Sequence, residues 1–110
     1  MQVNSINNQN FNGLIIHPGI KGKLEKDVMK LLKFDTDKMA ETAKLIAAAE
    51  RKRNGIDLRV AVRQGIYEPK TDADFDVFIA NMTQNKKTDI PGDSLAEKFL
   101  AGLQYISERA

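Results

Sequence analysis

Three carboxylates at alternate positions, Asp72, Asp74 and Asp76, form the densest group of ligating side chains in the chain. Spacing of i, i+2, i+4 is how a calcium loop begins, because a hard divalent cation is held by several oxygen ligands. An EF-hand loop also needs glycine at its sixth position and glutamate at its twelfth. Counted from Asp72, those positions are Val77 and Thr83, so the match fails. On an extended strand the three side chains share one face. There they either pair with Arg59 and Arg63 on a neighbouring strand or hold a cation together with loop carbonyls. Cross-strand pairs of opposite charge contribute roughly 0.2–1 kcal/mol each. Pairing is the simpler reading. It leaves Asp72, Asp74 and Asp76 as a weak metal candidate, and no cofactor is expected.

His17 is the single histidine, a residue type suited to general-base work near neutral pH. A nucleophile to go with it is missing. Ser5 lies in an asparagine-rich start, Ser94 at a predicted helix cap and Ser107 near the C-terminal end, none within a Gly-x-Ser-x-Gly elbow. There is no glycine-rich phosphate loop and no His-x-x-x-His pair. The chain therefore reads as non-enzymatic, with His17 structural or simply exposed.

Two surfaces remain for binding. Lys23, Lys26, Lys30 and Lys33 recur along one face of a helix, where phosphates are met by basic side chains. Glu25 and Asp27 interrupt that face, and it has no arginine for bidentate contacts. The second surface is apolar. Phe78 points away from the apolar face of its strand if alternation holds, and Ile66 and Tyr67 sit in the loop that returns to that strand. Together Ile66, Tyr67 and Phe78 would make an outer patch for a protein partner or a second copy. Alternatively, Phe78 is covered by the N-terminal arm or by that loop.

The elements that must position these residues follow from periodicity. Ile56–Val62 (IDLRVAV) alternates apolar and polar residues, and so does 74–80 (DFDVFIA). The spacing predicts an antiparallel pair with Ile56, Leu58, Val60, Val62, Phe75, Val77 and Ile79 on the inner face. Leu14–Ile16 is a third strand candidate, stopped by Pro18-Gly19. Residues 23–34 repeat Leu24, Val28, Leu31 and Leu32 at helical spacing. A second helix, capped by Asp35 or Thr36, runs to about Arg53. It turns Met39, Ala43, Ile46 and Ala47 inward and ends at Asn54-Gly55. The two should form a helical hairpin or a kinked pair. Residues 64–73 and 81–92 read as loops. Ser94 and Glu97 then open a last helix whose stripe is Leu95, Phe99, Leu103 and Ile106. Gly102 within it costs roughly 1 kcal/mol relative to alanine and so marks a close contact. The expected fold is α+β: a small antiparallel sheet of two to three strands packed by three helices, in the order β-α-α-β-β-α.

Size and composition fit one such domain. The 110 residues are 42% hydrophobic and 29% charged, with a net charge of +2. The first half carries +4 and the second −2, an asymmetry that permits a basic surface. Cysteine is absent, which excludes disulfides and thiol chemistry. No apolar run is long enough for a signal or a membrane span, so a cytoplasmic protein with no membrane partner is expected. Residues 1–12 hold five asparagines and read as a flexible arm before a single domain at 13–110. The opening Ser5-Ile6-Asn7-Asn8-Gln9-Asn10-Phe11-Asn12-Gly13 resembles the start of small uncharacterised bacterial proteins that share an asparagine-rich lead into Asn-Phe-x-Gly. No function comes with that resemblance. The best reading is a small protein-interaction or self-associating module. The alternative is a nucleic-acid-binding accessory protein that uses the lysine face.

Overall fold

In a computed structural model that describes residues 13–51 and 55–109, the first strand, β1 (Leu14–Ile16), runs directly into helix α1 (Pro18–Leu31). Pro18-Gly19 ends the strand as expected and also opens the helix. Pro18 takes the first helical position, where a missing N–H costs nothing. His17 is the cap, its Nδ1 accepting from the Gly19 N–H at 2.9 Å. The helix therefore begins five residues before the predicted Lys23. It buries Ile20 as well as Leu24 and Val28, whereas Leu31 is exposed.

α1 ends in an unusual elbow. The Lys33 N–H donates to the Lys30 carbonyl at 3.0 Å and the Phe34 N–H to the Met29 carbonyl at 3.1 Å. This is a Schellman closure, which normally has glycine in the left-handed position. Here Lys33 and Phe34 both take positive φ, 57° and 54°. Each such residue costs of order 1–3 kcal/mol. The elbow sends the chain away from α1 before Asp35 caps α2 (Thr36–Glu50) by accepting from the Lys38 N–H. As a result α1 and α2 pack separately on the last helix and scarcely touch one another. Of the two arrangements expected, they do not form the helical hairpin; the bend at Lys33-Phe34 joins them as a kinked pair. Thr42 and Ala49 are the buried residues of α2, while Ala43 is exposed. The expected close at Asn54 lies outside the described residues; Gly55 has φ +80°.

Among the described residues the sheet has four strands, in the order β1-β2-β3-β4. β2 (Ile56–Val62) pairs antiparallel with β3 (Phe75–Asn81), with Leu58 opposite Ile79 and Val60 opposite Val77. β1 pairs parallel with β2, Leu14 opposite Leu58, because two intervening helices carry the chain back to the same end. The sheet is therefore mixed, not purely antiparallel. Its fourth strand, β4 (Lys86–Asp89), falls in the stretch read from sequence as a loop. A four-residue turn through Asn85, at φ 54°, joins β3 to β4. Asn81 Oδ1 accepts from the Gln84 N–H within that turn.

Helix α3 (Leu95–Glu108) lies over β2 and β3. Ser94 caps it, its Oγ accepting from the Glu97 N–H and its hydroxyl donating to Glu97 Oε1, each at 3.1 Å. The predicted stripe Leu95, Phe99, Leu103 and Ile106 is buried, as are Leu58, Val60, Phe75, Val77 and Ile79 of the sheet. Each large side chain fully removed from water contributes about 1.5–3 kcal/mol. Gly102 is a close contact: a Cβ there would stand 2.5 Å from Leu58 Cδ1, and Leu58 is wholly buried. No described helix is long and apolar enough to cross a membrane.

Candidate functional site

The three aspartates are dispersed. Asp72 and Asp74 lie in a single 3₁₀ turn (Asp72–Asp74) ahead of β3, so only Asp76 is on the strand. Asp72 Oδ1 lies 2.9 Å from the Lys23 Nζ, which is also 2.7 Å from Asp27 Oδ2. These two carboxylates hold the Lys23 ammonium above its usual pKa, Asp27 having the larger effect. Asp74 closes a capping box. Its Oδ2 accepts the Lys70 N–H at 2.7 Å and the Thr71 N–H at 3.1 Å, and these bonds pull its pKa below the usual carboxylate value. Asp76 takes the Arg63 guanidinium at 3.1 Å. The Arg63 pairing agrees with the sequence reading. The Arg59 pairing does not: Arg59 reaches back along its own strand to Asp57, 3.0 Å away and 6% exposed. Arg59 stands opposite Phe78 in the register, so the residue facing it is aromatic, not acidic. Among the described residues no three acidic or histidine side chains converge to hold a metal ion.

The proposed outer patch is also partitioned. Phe78 is half-buried, with the Lys87 ammonium 4.4 Å from its ring centroid. That contact contributes about 0.5–1 kcal/mol at an exposed site, and it covers the aromatic that sequence alone left unplaced. Tyr67 is 95% exposed in the β2–β3 loop, and Ile66 beside it is half-buried. Of the lysine face, Lys23 is held by its two carboxylates, while Lys26, Lys30 and Lys33 are exposed. His17 is a cap, and its ring packs edge-on against Phe75 at 5.6 Å between centroids.

A site the sequence did not reveal is the groove left by the splayed helices. Its volume is about 990 Å³, at the upper end of the range usual for ligand clefts. α1 forms one wall with Leu24, Val28, Met29 and Leu32; α2 forms the other with Met39, Thr42, Ala43 and Ile46. β1 and Phe99 line its floor. Lys21, Glu25 and Glu50 are its charged residues. The groove opens along β1, a margin of the sheet among the described residues. The Leu58 N–H donates to the Gly13 carbonyl and the His17 N–H to the Val60 carbonyl. Alternate residues of a strand face opposite sides of the ladder. Leu14 and Ile16 therefore direct their backbone N–H and C=O away from β2, toward the open side. The sequence signal for the groove was present but ambiguous: α2 carries small residues where a packed inner face was expected, and they leave a gap.

Compared with protein-family models, with curated proteins and with solved structures, the chain matches none.

Proposed function

We propose that the protein is a small interaction module that receives an extended, apolar segment of a polypeptide along β1 and in the groove between α1 and α2. The observation that carries this reading is the coincidence of an apolar cleft with a strand margin that is open among the described residues. Strand addition takes affinity from main-chain hydrogen bonds and specificity from pockets for alternate side chains. Leu14 and Ile16 supply the former, and the cleft between Met29, Ala43 and Ile46 supplies the latter.

A fluorescein-labelled peptide of alternating valine and lysine, titrated while its anisotropy is followed, tests the proposal. Saturable binding is expected, weakened by about tenfold or more (~1.4 kcal/mol) in Ile16→Lys and unchanged in Phe78→Ala. If Phe78→Ala abolishes binding and Ile16→Lys does not, the partner sits on the outer sheet face with Phe78 and Tyr67 instead. The lysine face supports less, since Lys23 is already matched by Asp27 and Asp72. Retention of nucleic acid that falls as salt rises would favour that alternative.

A further inference from the structure

The elbow that separates α1 from α2 carries a second surface, one that does not depend on the reading of the groove. Leu31 ends α1 with 40% of its surface exposed, and Phe34, three residues on, is 64% exposed. Single exposed apolar residues need no explanation, but these two adjoin the lysine face. Lys26, Lys30 and Lys33 are exposed and recur at i, i+4 and i+7, which is one side of a helix. None of the three takes part in an ion pair among the described residues. The carboxylates nearest in sequence are engaged or face elsewhere. Asp27 holds Lys23, Asp35 accepts the Lys38 N–H, and Glu25 lies on the groove side of α1. Asp37 and Lys38 follow as one charge of each sign. The bend does not call for an aromatic side chain. Phe34 takes φ 54°, a conformation that glycine adopts without strain.

We infer that this elbow is a contact site for an anionic membrane surface, with Leu31 and Phe34 entering the headgroup layer and Lys26, Lys30 and Lys33 meeting its phosphates. The charges are complementary, since three unmatched ammonium groups face a negatively charged lipid surface. Each lysine held near such a surface strengthens binding about fivefold. The apolar pair supplies what charge alone does not, because an interfacial segment buries its apolar side chains at the headgroup–acyl boundary while its lysine stems keep the ammonium groups in water. The absence of a long apolar run excludes a span, and a surface contact needs none. Single-stranded nucleic acid suits the patch less well. Bases stack on aromatic rings, to which aliphatic Leu31 adds nothing, and no arginine is present for a planar contact. A lipid surface takes both apolar side chains.

Flotation of the full chain with vesicles of phosphatidylcholine, alone or mixed with phosphatidylserine, tests this. Binding to the mixed vesicles is expected, falling as salt rises and at least about tenfold weaker on phosphatidylcholine alone. Lys30→Glu combined with Lys33→Glu should weaken it by about tenfold or more. Phe34→Gly and Leu31→Ser should each weaken it by about fivefold or more, and Phe34→Gly should keep the wild-type melting temperature or raise it, because the left-handed strain is relieved. Wild type that fails to float with the mixed vesicles overturns the proposal. So does binding that the double glutamate variant abolishes while Phe34→Gly and Leu31→Ser leave it unchanged, which is adsorption by charge alone. A single-stranded oligonucleotide held more tightly than the vesicles, with Leu31→Ser without effect, identifies nucleic acid as the occupant instead. The valine–lysine peptide should bind Phe34→Gly as it binds wild type, so the groove and the elbow stand or fall separately.

Discussion

At one margin of the sheet β4 presents Lys86, Lys87 and Asp89; at the other β1 presents Leu14, Ile15 and Ile16. Both are short strands with a neighbour on one side only among the described residues. An exposed strand margin is a template for unwanted pairing, and charged side chains are a common way to blunt it. β4 has that protection, and Lys87 also roofs Phe78. β1 has none. The helical layer differs in the same sense. Above β2 and β3, α3 comes so near that Gly102 leaves no room for a Cβ beside Leu58. Next to β1, α1 and α2 stand apart around a cleft of about 990 Å³. Among the described residues, one end of the molecule is closed by charge and tight packing, and the other is left apolar and open.

The largest test of this contrast pairs Gly102→Ala with Ala43→Leu. The first pushes a methyl group into the closed end. It should cost about 1–3 kcal/mol, read as a melting temperature lowered by roughly 5–15 °C. The second adds bulk to a groove wall and should change stability by less than about 0.5 kcal/mol. Equal losses would mean that the groove is packed shut in solution. Next is His17→Ala, which removes the cap of the α1 groove wall and should cost about 1 kcal/mol, recovered in His17→Asn. Amide exchange should rise in α1 and leave β4 unchanged.

A smaller effect on stability, though a visible one on association, is expected from Lys86→Val combined with Lys87→Val. It gives β4 the apolar character of β1, and light scattering should show larger species than wild type at the same concentration. Loss of the Lys87–Phe78 contact accounts for about 0.5–1 kcal/mol at most. A double variant that stays as dispersed as wild type would show that charge is not what guards β4. The smallest effect is that of Asp74→Asn, in the turn before β3. The Asp74 pKa is lowered in the folded protein. Its contribution is therefore full above the unfolded value of about 3.8 and fades as pH falls through the lower folded value. Asp74→Asn should be slightly less stable than wild type at neutral pH, and the difference should close in that acid window.

The closed end was largely legible in the sequence. Alternation in Ile56–Val62 and in the following strand named the inner face, and the Leu95, Phe99, Leu103 and Ile106 stripe named the helix above it. A period of two or of 3.6 residues is a direct consequence of one buried face. Even the Gly102–Leu58 contact was signalled by a glycine inside a strong helix. β4 was not legible. Lys86-Lys87-Thr88-Asp89 is a margin strand whose register is set by pairing to β3, and it has no apolar alternation to display. Pro18 ended β1 as read, but the helix start was placed five residues late, because a proline that ends one element also fits the first turn of a helix. Sequence also placed all three aspartates on one strand face. The 3₁₀ turn removed two of them and handed Asp72 to Lys23, a partner distant in sequence. The groove was the least legible feature. It results from two helices failing to meet, and periodicity reports which face of a helix is apolar, not what it packs against. The left-handed pair Lys33-Phe34, which separates them, carries neither the glycine nor the asparagine that usually marks such a bend.

The most direct test of the open end is chemical-shift mapping of the ¹⁵N-labelled protein as the valine–lysine peptide is added. The expected result is a saturable set of shifts at Leu14, Ile15 and Ile16 and at Met29, Ala43 and Ile46, with Lys86–Asp89 unmoved. Shifts confined to Phe78, Lys87 and Tyr67, or none anywhere, would contradict the assignment of β1 and its groove as the binding end of the molecule.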